Sequence, residues 1–218
     1  MYIPNSAAAF APGPQAYANN QSDPAIDGIG DAYDPEMGNH IDTHVSLFVG
    51  GQQIGIPMGI GIAPPGPGTG PAIVTCTSGP ETGNPFIANG STFYWIHTHD
   101  HGGIVHVEHQ TGPAQGLPLQ PFTLGQFFAV WGQTISSSGA AGYSGTVRVF
   151  LYNDGGTTGE GPPNPSAAPT EWTGDPNTAP FGMHEYDEVA IEVGAPWVAA
   201  PLYTWDPVWY APGPSTCL

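Results

Sequence analysis

Five of the chain's eight histidines fall within residues 93–109, which read FYWIHTHDHGGIVHVEH. Imidazole nitrogens are common ligands of transition metals, and the free ring also titrates near neutral pH. His97 and His99 form an H-x-H pair, and His106 and Glu108 form an H-x-E pair. Because the side chains of a strand alternate between two faces, each pair predicts two potential ligands on the same face.

The sequence around these pairs predicts a β-hairpin with its turn at His101 and Gly102. That register places His97 directly across from His106. Opposed residues have Cβ atoms about 4.5 to 5.5 Å apart, so two imidazoles there converge on one ion with bonds of roughly 2.0 to 2.1 Å. The other face is predicted to pack on the core, and it carries Tyr94, Ile96, Thr98, Val105 and Val107.

A second group of potential ligands alternates within the segment NHIDTHVSLF. His44 would complete the site if its strand lay beside the hairpin, and Asp42 would either bind the ion or orient a ligand histidine from behind. His101, His109 and His184 are expected to lie outside the site, and Asp100 is expected to cap the turn. The predicted metal-binding set comprises His97, His99, His106, His44, Glu108, His40 and Asp42.

Such a histidine-rich set without cysteine suits copper or zinc, and iron less well. The alternative interpretation is a solvated polar face, or a group of pH-sensing histidines.

The elements that must hold these residues are predicted to be strands. The chain contains 32 Gly and 26 Pro together with 6 Trp, 9 Tyr and 9 Phe, which is typical of a loop-rich all-β fold. We expect a sandwich or barrel-like β domain with one short helix near 122–132, where apolar residues recur at helical spacing. The predicted organisation is an extended arm over 1–38, a β domain over 39–210 and a tail over 211–218. The longest of the Pro/Gly-rich loops is expected at 154–180.

The charge balance excludes several partners. The chain has 18 acidic residues and one basic residue, Arg148, for a net charge of −17. Nucleic acid and anionic membranes require a cationic surface, and no stretch has the apolar length of a membrane span. Because ion pairs contribute so little, we expect the fold to tolerate acid. The composition indicates an extracellular or cell-surface protein, in which Cys76 and Cys217 are either a disulfide or two buried thiols.

Several motifs resemble a largely uncharacterised family of exported bacterial and archaeal proteins. The similarity lies in HTHDHGGIVHVE, in FTLGQFFAVWG, and in the hairpin HVSLFVGGQQIGIP that begins at His44. It extends over about residues 40–205 and implies metal binding through the family's histidines. The chain differs from the family at Asp42, where a histidine is common, and in its N-terminal arm, its 154–180 loop and its lack of lysine.

Three functions follow as hypotheses. The first is an exported metal-binding protein. The second is a subunit of an extracellular fibre, with the arm or tail crossing to a neighbouring copy and a structural metal as staple. The third is a metal-dependent oxidoreductase or hydrolase with Glu108 as general base. No nucleophile elbow, phosphate loop or dinucleotide motif is present in the sequence.

Overall fold

The computed structural model describes residues 27, 29, 31–32, 39–63, 73–75, 85–87, 90, 92–109, 122–152, 168–182, 186–198 and 203. These residues contain short strands in several sheets and one short α-helix, so the all-β prediction is confirmed. The elements are β1 (Asp31–Ala32), β2 (Asn39–Val49), β3 (Gln52–Ile54), β4 (Ile62–Ala63), β5 (Ile73–Thr75), β6 (Pro85–Ile87), β7 (Thr92–Tyr94), β8 (Ile96–His97), β9 (Ile104–His109), β10 (Phe122–Thr123), α1 (Leu124–Val130), β11 (Ile135–Ser136), β12 (Gly139–Ala140), β13 (Tyr143–Ser144), β14 (Val147–Tyr152), β15 (Thr170–Glu171), a 3-10 helix (Pro176–Thr178), β16 (Pro180–Phe181) and β17 (Glu188–Val193).

The largest sheet has the order β15-β14-β17-β2-β9-β8, with β3 also paired to β2. Only β17 and β2 run parallel among these neighbours, and the other pairs are antiparallel. The β2–β3 hairpin turns at Gly50 and Gly51, whose φ angles of 55° and 78° favour glycine. This hairpin was predicted from the Gly-Gly pair between two alternating segments, and it is confirmed.

The two faces of this sheet carry different chemistry. One face belongs to the apolar core and includes Val45, Leu47, Val105 and Val107, all at most 2% exposed. Helix α1 contributes Leu124, Phe127 and Phe128 to the same core. The face opposite this core carries the acidic and imidazole side chains of β2, β8, β9 and β17. The predicted division of the hairpin into a packing face and a polar face is therefore confirmed, although both faces are buried.

The short helix predicted near 122–132 is confirmed as α1. Thr123 is its N-cap, where the Thr123 hydroxyl accepts from Gln126 N and the Gln126 side chain accepts from Thr123 N. This reciprocal capping box satisfies two backbone donors that the first helical turn leaves free.

The first strand of the predicted hairpin is shorter than expected, because the structure interrupts it on both sides of β8. The chain changes sheets at Trp95, because Tyr94 N donates to Gly61 O whereas Trp95 O accepts from Glu108 N. Beyond His97 the backbone of Thr98 bonds to Ile60 and Gly59 instead of continuing the ladder with β9. The loop between β8 and β9 is longer than predicted for this reason.

Within the predicted 154–180 loop, the described residues 168–180 include β15, the 3-10 helix and the start of β16. In the predicted arm, Ile29 is fully buried and β1 pairs with β7. Cys76, Cys217 and His184 lie outside the described residues. In the part of the chain that the structure describes, no helix has the length and apolar character to span a membrane.

Candidate metal centre

His97 and His106 are directly opposed on β8 and β9, as the sequence predicted. Their rings stack with centroids 5.3 Å apart and an interplanar angle of 14°. His97 is fully buried and His106 is 4% exposed. The hairpin register therefore brings two of the predicted ligands together beneath the surface.

His99 completes a group that we call the histidine triad, formed by His97, His99 and His106. The centroid of the His99 ring lies 4.9 Å from that of His97 and 4.9 Å from that of His106. His99 meets both other rings nearly edge-on. Its Nε2 atom lies 3.1 Å from Nε2 of His97. The three rings thus form a compact triangle, although His99 lies beyond the end of β8.

The outer nitrogens of this triad face oxygen atoms. Nδ1 of His97 lies 2.9 Å from the carbonyl oxygen of Tyr94, and Nδ1 of His99 lies 2.6 Å from that of Ile87. A carbonyl oxygen only accepts hydrogen bonds, so both Nδ1 atoms must be donors. A neutral imidazole carries one proton, which these contacts assign to Nδ1 and not to Nε2.

This assignment leaves the Nε2 atoms of His97 and His99, which lie 3.1 Å apart, without protons of their own. With both rings neutral, two nitrogen lone pairs point at each other, which is unfavourable unless a positive charge lies between them. A proton or a metal ion supplies that charge. Two nitrogen ligands at about 2.0 to 2.1 Å from one metal are separated by roughly 2.9 to 3.4 Å, depending on the bond angle. The spacing of His97 and His99 falls within that interval.

His106 is less closely placed for binding an ion than His97 and His99 are. Among the described residues, no three His, Cys, Asp or Glu groups are already gathered at metal-binding spacing. His97 and His99 are therefore a preformed pair, and His106 is a neighbour in ring contact with both. Binding of one ion by all three imidazoles therefore requires a rearrangement of the triad.

Asp42 lies behind His106. The two residues are opposed on β2 and β9, and Oδ1 of Asp42 lies 3.0 Å from Nδ1 of His106. Asp42 is 4% exposed. A carboxylate in this position orients the imidazole ring, as in carboxylate–histidine–metal groups. Of the two roles predicted for Asp42, this contact matches the orienting one.

The position of His99 depends on β6, which sequence reasoning missed. Ile87 N donates to the backbone carbonyl oxygen of His99, and Ile87 O accepts from Nδ1 of the His99 ring. Strand β6 therefore binds both the backbone and the side chain of His99. Phe86 stacks on the His99 ring at 4.6 Å, and Phe93 lies 5.4 Å from the ring of His97 and 5.8 Å from that of His99. Nothing in the sequence near Phe86 indicated this contact, because it joins β6 to a residue that follows two further strands, β7 and β8.

His44 belongs to a different group. Its Nε2 lies 3.1 Å from Gly102 O and its Nδ1 lies 3.5 Å from Oε1 of Glu188 on β17. Tyr203 stacks on the His44 ring at 3.8 Å and donates its backbone N–H to Glu188. The alternation of Glu188, Ala190 and Glu192 in the sequence was the available signal for a carboxylate facing β2.

Glu108 and His40 lie opposite each other, two residue pairs beyond His106 and Asp42 on β9 and β2. Glu108 is 4% exposed. Its backbone N–H donates to Trp95 O, so Glu108 lies across from Trp95, as the predicted register of His97 opposite His106 requires. The side chain of His40 and that of His109 lie outside the described residues. Asp100 accepts from Gly102 N at 2.9 Å, so the predicted cap of the turn is confirmed.

Buried carboxylates are frequent for a chain with one basic residue. The acidic side chains at most 9% exposed are Asp42, Asp100, Glu108, Asp187, Glu188 and Glu192. Buried charges need partners, and Arg148 reaches only Glu192 among these six in the described ion pairs. Imidazoles and backbone N–H groups face several of the others.

Comparison of the chain with protein families, curated proteins and solved structures finds no match. The resemblance to the exported family therefore stays a prediction, and the site's geometry has to support any function by itself.

Proposed function

We propose that this protein binds one transition-metal ion through the histidine triad. His97 and His99 supply a preformed pair of Nε2 ligands, His106 supplies the third, and Asp42 orients His106. The observation that carries the proposal is the 3.1 Å contact between two Nε2 atoms whose Nδ1 atoms both face carbonyl oxygens. An ion between them replaces a repulsive contact with two coordinate bonds.

The chemistry of the ligands supports copper or zinc. Three neutral imidazoles without a thiolate suit both ions, and iron is the weaker candidate because it more often takes carboxylate ligands in open sites. We propose that the protein acts outside the cell or on its surface, where such ions are captured or retained by an acidic chain.

The direct test is the metal content of the purified chain. Protein stripped with a chelator and dialysed against Zn(II) or Cu(II) should retain one ion per chain by elemental analysis. The variant carrying both His97→Ala and His106→Ala should retain none. The matched control is His101→Ala, which removes a histidine from the turn and leaves the three imidazoles of the triad in the chain. Equal metal retention in the double variant and the wild type would refute the proposal.

The other two hypotheses keep their place as predictions. Assembly into a fibre or other homo-oligomer depends on the arm and the tail, most of which lies outside the described residues. Catalysis requires a position on the metal that a substrate or water can occupy.

A further inference from the structure

We infer that the protein carries a carbohydrate-binding surface at the β14–β15 edge of the large sheet, and that its ligand is a neutral chain of β-1,4-linked glucose units. The surface is formed by Trp197, Arg148 and Glu171, and we call it the tryptophan platform. The triad lies at the opposite edge of the same sheet, at β8 and β9. The inference therefore does not depend on a bound metal.

Trp197 is exposed but held in place by its neighbours on the sheet. It is 40% exposed. Cζ of Arg148 lies 5.3 Å from the centroid of the Trp197 ring and 4.7 Å from that of Phe150. A guanidinium at these distances is attracted to the π electrons of both rings. Arg148 thus links the exposed indole to the strand beneath it.

The backbone on both sides of Trp197 is also fixed. Val198 N donates to Oε1 of the buried Glu192 at 2.9 Å. Pro196 lies so close to the β2–β3 turn that a Cβ on Gly51 would come within 3.0 Å of its carbonyl oxygen. A side chain whose position is set before binding loses less conformational freedom when a ligand arrives. The indole is therefore a preorganised flat surface.

A polar pair lies beside this flat surface. Arg148 donates to the two carboxylate oxygens of Glu171 at 2.8 and 2.9 Å, and the side chains are 31% and 45% exposed. A guanidinium has five N–H donors and a carboxylate accepts about four hydrogen bonds, so the contacts between them use only part of this capacity. Neighbouring hydroxyl groups of a sugar both donate and accept, which matches such a pair.

The charge of the platform and of the chain selects a neutral ligand. The one guanidinium is matched by Glu171 and by Glu192 at 3.5 Å, so the platform has no net positive charge. A net charge of −17 repels anionic glycans and a second copy of the chain. In β-1,4-linked glucose the ring substituents are equatorial, so each face of the pyranose presents C–H groups that pack flat on an indole. A neutral glucan therefore fits both parts of the platform.

The test is titration of the full isotope-labelled chain with cellohexaose, followed in nitrogen–proton correlation spectra. The chain has six Trp, and the indole signal of Trp197 is identified by its absence in Trp197→Phe. That signal should shift saturably. Affinities taken from backbone amide shifts should fall at least about tenfold in Trp197→Ala, and less in Trp197→Phe, which keeps a flat ring. Glu171→Gln should bind about threefold to tenfold more weakly. Ile73→Ala, at an exposed apolar residue of β5, is the matched control and should bind as the wild type does.

Four results would overturn the inference. The first is no binding of cellohexaose, and the second is equal affinity in Trp197→Ala and the wild type, which would place the sugar elsewhere. The third is tighter binding of carboxymethylated cellohexaose, which would show that the ligand is an anion. The fourth is self-association in sedimentation that Trp197→Ala abolishes, which would show that a second copy covers the platform. None of these results bears on metal retention, so the proposed function is tested separately.

Discussion

Oδ1 of Asp42 and Nδ1 of His106 lie 3.0 Å apart across the β2–β9 ladder, and both side chains are nearly inaccessible to solvent. β2 pairs with β9, and β9 pairs with β8, so Asp42, His106 and His97 follow one another across three adjacent strands. The carboxylate therefore supports the imidazole from the side away from His97. Three adjacent strands thus place one carboxylate and two imidazoles in one row.

We expect Asp42→Asn to weaken metal binding without removing it. The amide keeps the size of the carboxylate but loses its charge, so His106 is less well oriented. Loss of such a supporting group costs about 10-fold to 100-fold in affinity. Competition against a chelator of known affinity measures the effect with Zn(II). Asp175→Asn, at an exposed N-cap of the 3-10 helix, is the matched control and should bind as the wild type does. An unchanged affinity in Asp42→Asn would show that Asp42 has no part in the site.

Metal loading should also raise stability. An ion bound by the triad joins β8, β9 and the segment that β6 holds through Ile87, and the unfolded chain cannot reproduce that geometry. At a free metal concentration 100 times the dissociation constant, the gain is about 2.7 kcal/mol. Thermal unfolding with Zn(II) and with a chelator measures it. The double variant His97→Ala and His106→Ala should unfold at the same temperature in both conditions. A metal-dependent shift in that variant would place the ion elsewhere.

How much of this site the sequence predicted depends on local spacing. The pairing of His97 with His106 followed from alternation and a turn, and α1 followed from the helical spacing of apolar residues. The separation of His44 from the triad did not follow, because it depends on β17 placing Glu188 beside β2. The contact of β6 with His99 is equally non-local, and no periodic pattern encodes it.

Arg148, the one Lys or Arg residue of the sequence, allows a test of how much a buried carboxylate depends on a nearby cation. Its guanidinium binds Glu171 in two contacts of 2.8 and 2.9 Å and lies 3.5 Å from Glu192, which is 2% exposed at its side chain. Arg148→Met keeps most of the aliphatic stem but leaves Glu192 without a cation. We expect a loss of about 2 kcal/mol in the free energy of unfolding, less than for a fully buried pair because Arg148 is 31% exposed.

Urea unfolding measures this loss, and Glu171→Gln is its matched control. Glu171 is 45% exposed, so removing its charge should cost less than about 1 kcal/mol. Equal losses in the two variants would mean that Glu192 does not depend on Arg148.

The same pair gives a pH dependence with a defined sign. Hydrogen bonding to Arg148 lowers the pKa of Glu171 below its ordinary value of 4.5. A carboxyl whose folded pKa is lowered stabilises the fold above its unfolded pKa, and this contribution disappears as pH falls through the folded pKa. The difference in unfolding free energy between wild type and Glu171→Gln should therefore shrink on acidification below pH 4.5. It should be small throughout, because the pair is largely exposed. A difference that grows in acid would contradict this assignment.

Gly61, the residue before β4, packs closely against Ile96 and His97 of β8. Its φ is +71°, and a Cβ there would collide with the carbonyl oxygen of Ile96 and lie 3.2 Å from Cβ of His97. Gly142 has a similar φ of +81°, but a Cβ there would meet nothing within 4 Å. Both alanine variants incur the cost of a left-handed backbone, about 1 to 2 kcal/mol.

Gly61→Ala should lose a further 1 to 3 kcal/mol, roughly the cost of overpacking, because β8 has to move. It should also bind Zn(II) more weakly than Gly142→Ala, since that movement separates His97 from His99. Equal affinity in the two variants, measured by chelator competition on folded protein, would show that the site does not depend on the position of β8.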